Sequence, residues 1–287
     1  MQMEEGYLNL GGKKIWYCVY GKDKANTPML VVHGGPGFSS FTDVFCEFRD
    51  ERPVYFYDQL GCGKSDLAEN PDQYSVEAYV QELENVLKEL KLSEVILLGH
   101  SWGGALVCSY MLEKNPEGIK SLILASPYLS TPYFFRDAQE NLSRLPESVI
   151  STIEKCEKNN DYGEEYMGAT IEYYKRFMCI LEPFPMSLIE AFNKMNQDIY
   201  STMWGPSEFS ITGTLKDFDL YPELNKITVP VLLICGDRDE VGVKTMKDYQ
   251  MAFPTAQLAV IPNASHMNVI ERPDIFKAVI NEFIKDK

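Results

Sequence analysis

The feature that most constrains this chain is Gly99-His100-Ser101-Trp102-Gly103, which follows the apolar run Val95-Ile96-Leu97-Leu98 and precedes a helical run that begins at Ala105. A serine hydroxyl is a poor nucleophile unless it stands in the open beside a base. Glycines on both sides let a strand turn sharply into a helix with no side chain blocking it. The G-x-S-x-G string alone is a weak signal, because such glycines also serve tight packing of helix on strand. Its strand-turn-helix setting makes it informative, and predicts a parallel α/β sheet that raises Ser101 at the carboxyl end of a strand.

The rest of the chain carries the same pattern. Residues 7–10 and 14–20 flank Gly11-Gly12 and are expected to form a hairpin, followed by short apolar strands at 29–33, 53–58, 95–99 and 120–125. Before the strand at 95–99, Val76, Tyr79, Val80, Leu83, Val86, Leu87 and Leu90 recur at helical spacing, the mark of a crossover helix packed on a sheet. From about 127 to 210 apolar strand runs vanish, and segments rich in Tyr, Phe, Met, Glu and Lys are broken by Pro132, Pro146, Pro183 and Pro185. Strands resume at 229–235 and 257–261, and a last helix opens with Pro273. The expectation is a mostly parallel, doubly wound core of residues 1–126 and 211–287, with a helical cap domain, 127–210, over the end of the sheet.

Composition narrows the function. Hydrophobic residues make up 45% of the chain and charged ones 24%, which is a folded composition, and 27 basic against 42 acidic residues leave a net charge of −15. That field disfavours nucleic-acid phosphate. The polar start Met1-Gln2-Met3-Glu4-Glu5-Gly6 lacks the basic and then apolar layout of an export signal. No apolar run nears the ~18 residues of a membrane span. Seven cysteines, odd in number, without C-x-x-C pairing and mostly among apolar residues, read as reduced thiols in the cytoplasm. Three scattered histidines without H-E-x-x-H spacing make no zinc site, and no metal or other cofactor is expected.

Those histidines also limit the choice of base for Ser101. His100 adjoins the serine but is expected to point elsewhere on a tight turn, and His33 ends a central strand. His266, in the loop Asn263-Ala264-Ser265-His266-Met267 after the last strand, is free to reach across the sheet's end. The acid should leave the preceding strand, where Asp237, Asp239 and Glu240 all stand, and order along the chain does not choose among them. Asp237 is close enough to the strand to cap the turn. Asp239, three residues past Gly236, has room to turn back, which makes the chain order Ser101, Asp239, His266. Backbone N–H donors for an oxyanion are expected from Trp102 and from Gly35 in His33-Gly34-Gly35-Pro36-Gly37. Phe38 and Trp102 are candidates for the wall of a small apolar pocket.

Taken together, His33-Gly34-Gly35-Pro36-Gly37, Asp58-Gln59-Leu60-Gly61-Cys62-Gly63-Lys64-Ser65, Gly99-His100-Ser101-Trp102-Gly103-Gly104 and Trp204-Gly205-Pro206-Ser207-Glu208-Phe209 resemble the proline iminopeptidases, serine peptidases of the α/β-hydrolase fold. The likeness runs from about Ile15 to the carboxyl terminus and is closest to the shorter branch of that family, similar to the tricorn-interacting aminopeptidase. The chain departs from the longer branch at Leu60, Lys64 and His100. The resemblance implies an eight-stranded, mostly parallel sheet with helices on both faces and a helical cap. It also implies release of an amino-terminal residue, proline or one of several small or apolar residues, from short peptides. In that family glutamates hold the substrate's free amino terminus, which carries over to Glu208 and Glu240. A terminal ammonium gives up water on entering a covered site, and a carboxylate compensates. No nucleic acid or membrane partner is implied, and a monomer is consistent with the sequence.

The same triad suits a carboxylesterase, a lactonase or an amino-acid amidase, and a binding module that kept the fold but lost the chemistry is a further rival. For a peptidase, the rate should fall as His266 protonates near its ordinary value of about 6.5, and again above about 8 to 9 as the substrate amine loses its charge.

Overall fold

The computed structural model describes residues 3–285; Met1 and Gln2 of the polar amino-terminal stretch, and Asp286 and Lys287, lie outside the described residues. Among the described residues the eight strands are β1 (Glu4–Leu10), β2 (Lys13–Tyr20), β3 (Met29–Val32), β4 (Val54–Tyr57), β5 (Val95–His100), β6 (Ile119–Ala125), β7 (Val231–Gly236) and β8 (Ala256–Ile261). They form one sheet in the order β1-β2-β4-β3-β5-β6-β7-β8. The hairpin β1/β2 and the pair β2/β4 are antiparallel, and every other neighbouring pair is parallel. Every residue of β3, β5 and β7 is buried, because helices cover both faces and leave those strands no solvent side. The strand expected from residue 229 begins at Val231, since Pro230 has no N–H to give a ladder.

The helices are α1 (Thr42–Phe45), α2 (Val76–Glu89), α3 (Trp102–Lys114), α4 (Thr131–Leu142), α5 (Glu147–Lys158), α6 (Glu164–Phe177), α7 (Met186–Lys194), α8 (Gln197–Met203), α9 (Val243–Ala252), α10 (Asn268–Glu271) and α11 (Pro273–Ile284). The Ser75 hydroxyl accepts the Ala78 N–H at 3.2 Å and starts α2. Val80, Leu83 and Val86 of α2 and Leu106 of α3 pack with Leu30 and Leu97 on one face of the sheet. Phe276 and Ile280 of α11 pack with Phe56 and Ile96 on the other.

Helices α4 to α8 form one excursion between β6 and β7. Its two ends are tied together where Thr131 N–H donates to the Phe218 carbonyl (2.8 Å) and Leu220 N–H to that of Leu129 (2.9 Å). Trp204 seals this neck against Tyr128 and Phe134, with ring centroids 4.7 and 5.2 Å apart. Among the described residues no helix is long and apolar enough to cross a membrane, and the seven cysteines are buried free thiols.

Glu82 of α2 is buried and accepts the Leu60 N–H on both carboxylate oxygens, at 3.2 and 3.1 Å. Burial raises its pKa to about 8 against the pull of that bond. Because the folded value lies above the unfolded one, the unfolded chain loses this proton first as pH rises. Stability therefore drains away between the unfolded value of 4.5 and the folded value of about 8, at ~1.4 kcal/mol per pH unit. Glu82→Gln keeps an acceptor and removes the titration, so the variant should gain on the parent steadily from pH 5 to pH 8. Thermal melts across that range test this, and a difference that does not change with pH contradicts it.

Candidate active site

Ser101 stands between β5 and α3 at φ 53° and ψ −121°, a left-handed conformation that strains a residue with a side chain by ~1–3 kcal/mol. The surroundings hold it there. Its N–H donates to the Ala125 carbonyl at 2.9 Å, and its carbonyl accepts the N–H groups of Gly104 (2.9 Å) and Tyr128 (3.2 Å). The helix crowds the sheet so closely that a Cβ on Gly99 would lie 2.5 Å from the Gly103 carbonyl oxygen, and one on Gly103 2.1 Å from that of Val32. The hydroxyl opens on a pocket shared with Gly34, Gly35, Phe38, Phe41 and His266, and with Met178, Leu188, Phe192 and Glu208 from the helical excursion.

His266 lies in the loop between β8 and α10. Its Nδ1 is 3.0 Å from Asp239 Oδ1, and both side chains are buried. Asp239 Oδ2 accepts the Ser126 hydroxyl (2.6 Å) and the Gly236 N–H (3.1 Å), and Oδ1 accepts the Val241 N–H (3.2 Å). Asn268 in turn donates Nδ2 to Ser126 Oγ at 2.8 Å. The His266 loop is tied to the excursion as well: its N–H donates to the Phe177 carbonyl, the Met267 N–H to that of Met178, and Glu271 accepts from Ile180 N–H and from the Ser265 hydroxyl, both at 2.6 Å. Sequence reasoning missed Ser126, Asn268 and Glu271, since only three-dimensional closeness links residues so far apart.

Two more carboxylates complete the site. Glu240 Oε2 lies 3.7 Å from His266 Nδ1, and Glu240 Oε1 is buried with no hydrogen-bond partner among the described residues. Across the pocket Glu208 accepts the Tyr200 hydroxyl at 2.8 Å. Burial, then the charge of Glu208, pushes Glu240 well above the carboxylate range, and burial raises Glu208 against its bond from Tyr200. No Lys or Arg lines this pocket among the described residues. Burial alone would keep His266 neutral, but Asp239, the bond to it, Glu240 and Glu208 outweigh that and raise the imidazole to about 9. An acid limb near the ordinary histidine value is therefore not what the ligand-free site provides.

The remaining candidates fall as follows. Gly35 lines the pocket at φ 127°, where a Cβ would lie 2.7 Å from Gly37 N. Phe38 also lines it, edge to face with Phe192 at 5.3 Å. Trp102 does not form its wall. The indole points into the core beneath the elbow, against Tyr79 at 6.2 Å, with Nε1 donating to Gln59 Oε1 at 3.0 Å. As the first residue of α3 it faces α2, where a large ring is wholly removed from water, and only its backbone remains beside Ser101. His100 does not point away from the site either. It lies under the pocket with its ring 5.1 Å from that of His266, and burial, then His266, lowers its pKa to about 3. Asp237 Oδ1 accepts the Ala264 N–H at 3.2 Å and holds the turn.

A family model described as the alpha/beta hydrolase fold matches residues 27–273. The chain is 39% identical to a proline iminopeptidase of Heyndrickxia coagulans over 283 residues, 98% of each protein. Among solved structures, that of VinJ superposes with a TM-score of 0.92 at 30% identity, covering 98% of each chain. That of a proline iminopeptidase of Mycobacterium smegmatis does so with a TM-score of 0.89 at 28% identity, again over 98% of each.

A hydroxyl activated by a neutral imidazole reacts with fluorophosphonates. Labelling of Ser101 in the ligand-free protein should therefore rise with pH through about 9, the His266 value. Glu240→Gln removes a neighbour that raises His266 to the extent that it is ionised, and should move that midpoint down by up to roughly one pH unit. Labelling rates against pH for both proteins give the comparison, and coincident curves exclude this role for Glu240.

Proposed function

The chain belongs to the α/β-hydrolase fold family and, within it, to the proline iminopeptidases, and on that premise we propose that it is a serine aminopeptidase releasing proline or another small or apolar amino-terminal residue from short peptides. Ser101 Oγ attacks the carbonyl carbon of the first residue while His266 Nε2 takes the hydroxyl proton. Asp239 holds Nδ1 and stabilises the charge that forms. The N–H groups of Trp102 and Gly35 receive the oxyanion. His266 then protonates the departing amine, the C–N bond breaks, and water enters by the same route to release the acyl group from Ser101. Residues 127–210 act as the cap that excludes bulk water.

The observation that carries this reading is a pair of carboxylates, Glu208 in the lining of the serine's apolar pocket and Glu240 behind it, 3.7 Å from His266 Nδ1, with no Lys or Arg among the described residues of that lining. Negative charge beside a forming oxyanion does nothing for an ester. It suits a substrate that brings its own cation, because the terminal ammonium then replaces lost water with two charge-assisted partners. Register follows: with the ammonium on the glutamates, one residue fits between it and Ser101. The same cation offsets the field of Glu240 and Glu208 on His266, so binding draws the imidazole back towards the neutral form that catalysis requires.

Free aminoacyl-arylamides with Pro, Ala, Leu and Phe in first position should be cleaved, and their N-acetyl forms should not. Glu208→Gln and Glu240→Gln should each lower kcat/KM on the free substrates by roughly 10- to 100-fold, the worth of a charge-assisted bond. Hydrolysis of 4-nitrophenyl acetate, which has no ammonium, should hold or rise in both variants. Equal cleavage of blocked and free arylamides overturns the glutamate anchor, and indifference of the arylamides to both substitutions favours an esterase.

A further inference from the structure

Strands β4, β3 and β5 end side by side beneath the pocket, and Gln59, two residues beyond β4, reaches across all three. It is 1% exposed, and the reaction outlined above gives it no task. Both polar atoms of its side chain are nonetheless engaged: Nε2 donates to the His33 carbonyl at 3.1 Å, and Oε1 accepts the Trp102 indole N–H at 3.0 Å. An indole only donates and a carbonyl only accepts, so the amide has one possible orientation. The Gln59 backbone N–H donates to His33 Nε2 at 3.0 Å, which leaves the ring proton on Nδ1. That Nδ1–H donates to the Gly34 carbonyl at 2.8 Å.

We propose that Gln59 is a positioning residue that sets both oxyanion donors, through His33 on one side and the Trp102 indole on the other. A trans peptide points its C=O and N–H in opposite directions. Holding the Gly34 carbonyl on His33 therefore turns the Gly35 N–H away from His33, towards the side on which both glycines line the pocket. Holding the indole fixes the first residue of α3 and with it the Trp102 N–H. Gln59 joins these two walls, which come from segments 66 residues apart, as measured from Gly35 to Ser101. The loop that carries Gln59 has anchors of its own: Asp58 accepts the N–H groups of Ser40 (2.8 Å) and Lys64 (2.9 Å), and Glu82 accepts that of Leu60. Loss of the Gln59 amide thus frees the Trp102 indole and the His33 carbonyl, while the loop and the backbone bond from Gln59 N–H to the His33 ring stay in place.

The proposal rests on acyl transfer at Ser101 but not on the identity of the acyl group, so the test uses both an arylamide and an ester. Gln59→Met keeps the length and apolar contact of the side chain and removes its hydrogen bonds. Its kcat should fall by roughly 10- to 100-fold on prolyl-arylamide and on 4-nitrophenyl acetate alike, with KM within about twofold. A prolyl boronic acid, which forms a tetrahedral adduct on Ser101, should bind more weakly by the same factor, while free proline should inhibit as before. Trp102→Phe removes only the indole N–H and should show the same split with a smaller loss. If Gln59→Met does not fold, Trp102→Phe decides by the same readouts. Unchanged kcat, or a fall in kcat with boronate affinity retained, overturns the proposal. If the parent hydrolyses the ester but no arylamide, the aminopeptidase reading fails, and the ester and boronate comparisons still decide the role of Gln59.

Discussion

Everything in this site depends on how near α3 comes to the sheet. The chain must leave β5, place one residue with a side chain at positive φ, and enter a helix in contact with the ends of β3 and β5. No Cβ can be accommodated at Gly99 or Gly103, and Ser101 bears the strain. Packing of α3 against α2 and the core, with the backbone bonds of Ser101 to Ala125, Gly104 and Tyr128, holds that strained turn and keeps the hydroxyl at the pocket. Trp102 belongs to this device. Its ring fills the space under the turn, and its single N–H finds a partner in Gln59.

A second constraint is electrostatic. Asp239 and Glu240 lie 3.0 and 3.7 Å from the Nδ1 of one imidazole, and Glu208 lines the same pocket as that ring, with no Lys or Arg among the described residues of the lining. Asp239 is satisfied by Ser126 and two backbone N–H groups, whereas Glu240 keeps a buried oxygen without a partner among the described residues. The two acids sit next to each other in the chain with opposite environments. One is a settled member of a network, and the other has an oxygen that no donor reaches among the described residues. A buried carboxylate left so is costly to fold, and a cationic ligand relieves that cost on binding.

The strands and crossover helices were legible because fully apolar runs of strand length and apolar residues at helical spacing report burial directly. The sharp turn at Ser101 was legible because glycine is needed where backbones touch. Asp239 stood out from Asp237 on spacing alone, and the structure places Asp239 on His266 and Asp237 on the turn. Two readings were mistaken, and both concerned the direction of a side chain beside the serine. Trp102 was expected at the pocket and lies in the core, and His100 was expected to point away and lies under the pocket. A residue's place in the chain says little about which side of a tight turn its side chain takes.

The sequence by itself determined the alternation of strand and helix, the position of the exposed serine, the one histidine and the short acidic loop able to serve it, and the helical stretch that interrupts the sheet. These follow from local pattern, where burial and backbone sterics act over a few residues. Only the tertiary structure decided that Glu208 shares a pocket with Ser101, that Ser126 and Asn268 hold Asp239, and that Gln59 bridges His33 and Trp102. Such contacts join residues tens to more than a hundred positions apart. Hydrogen bonds and charge interactions act through space, and the chain brings those partners together only once the sheet has formed.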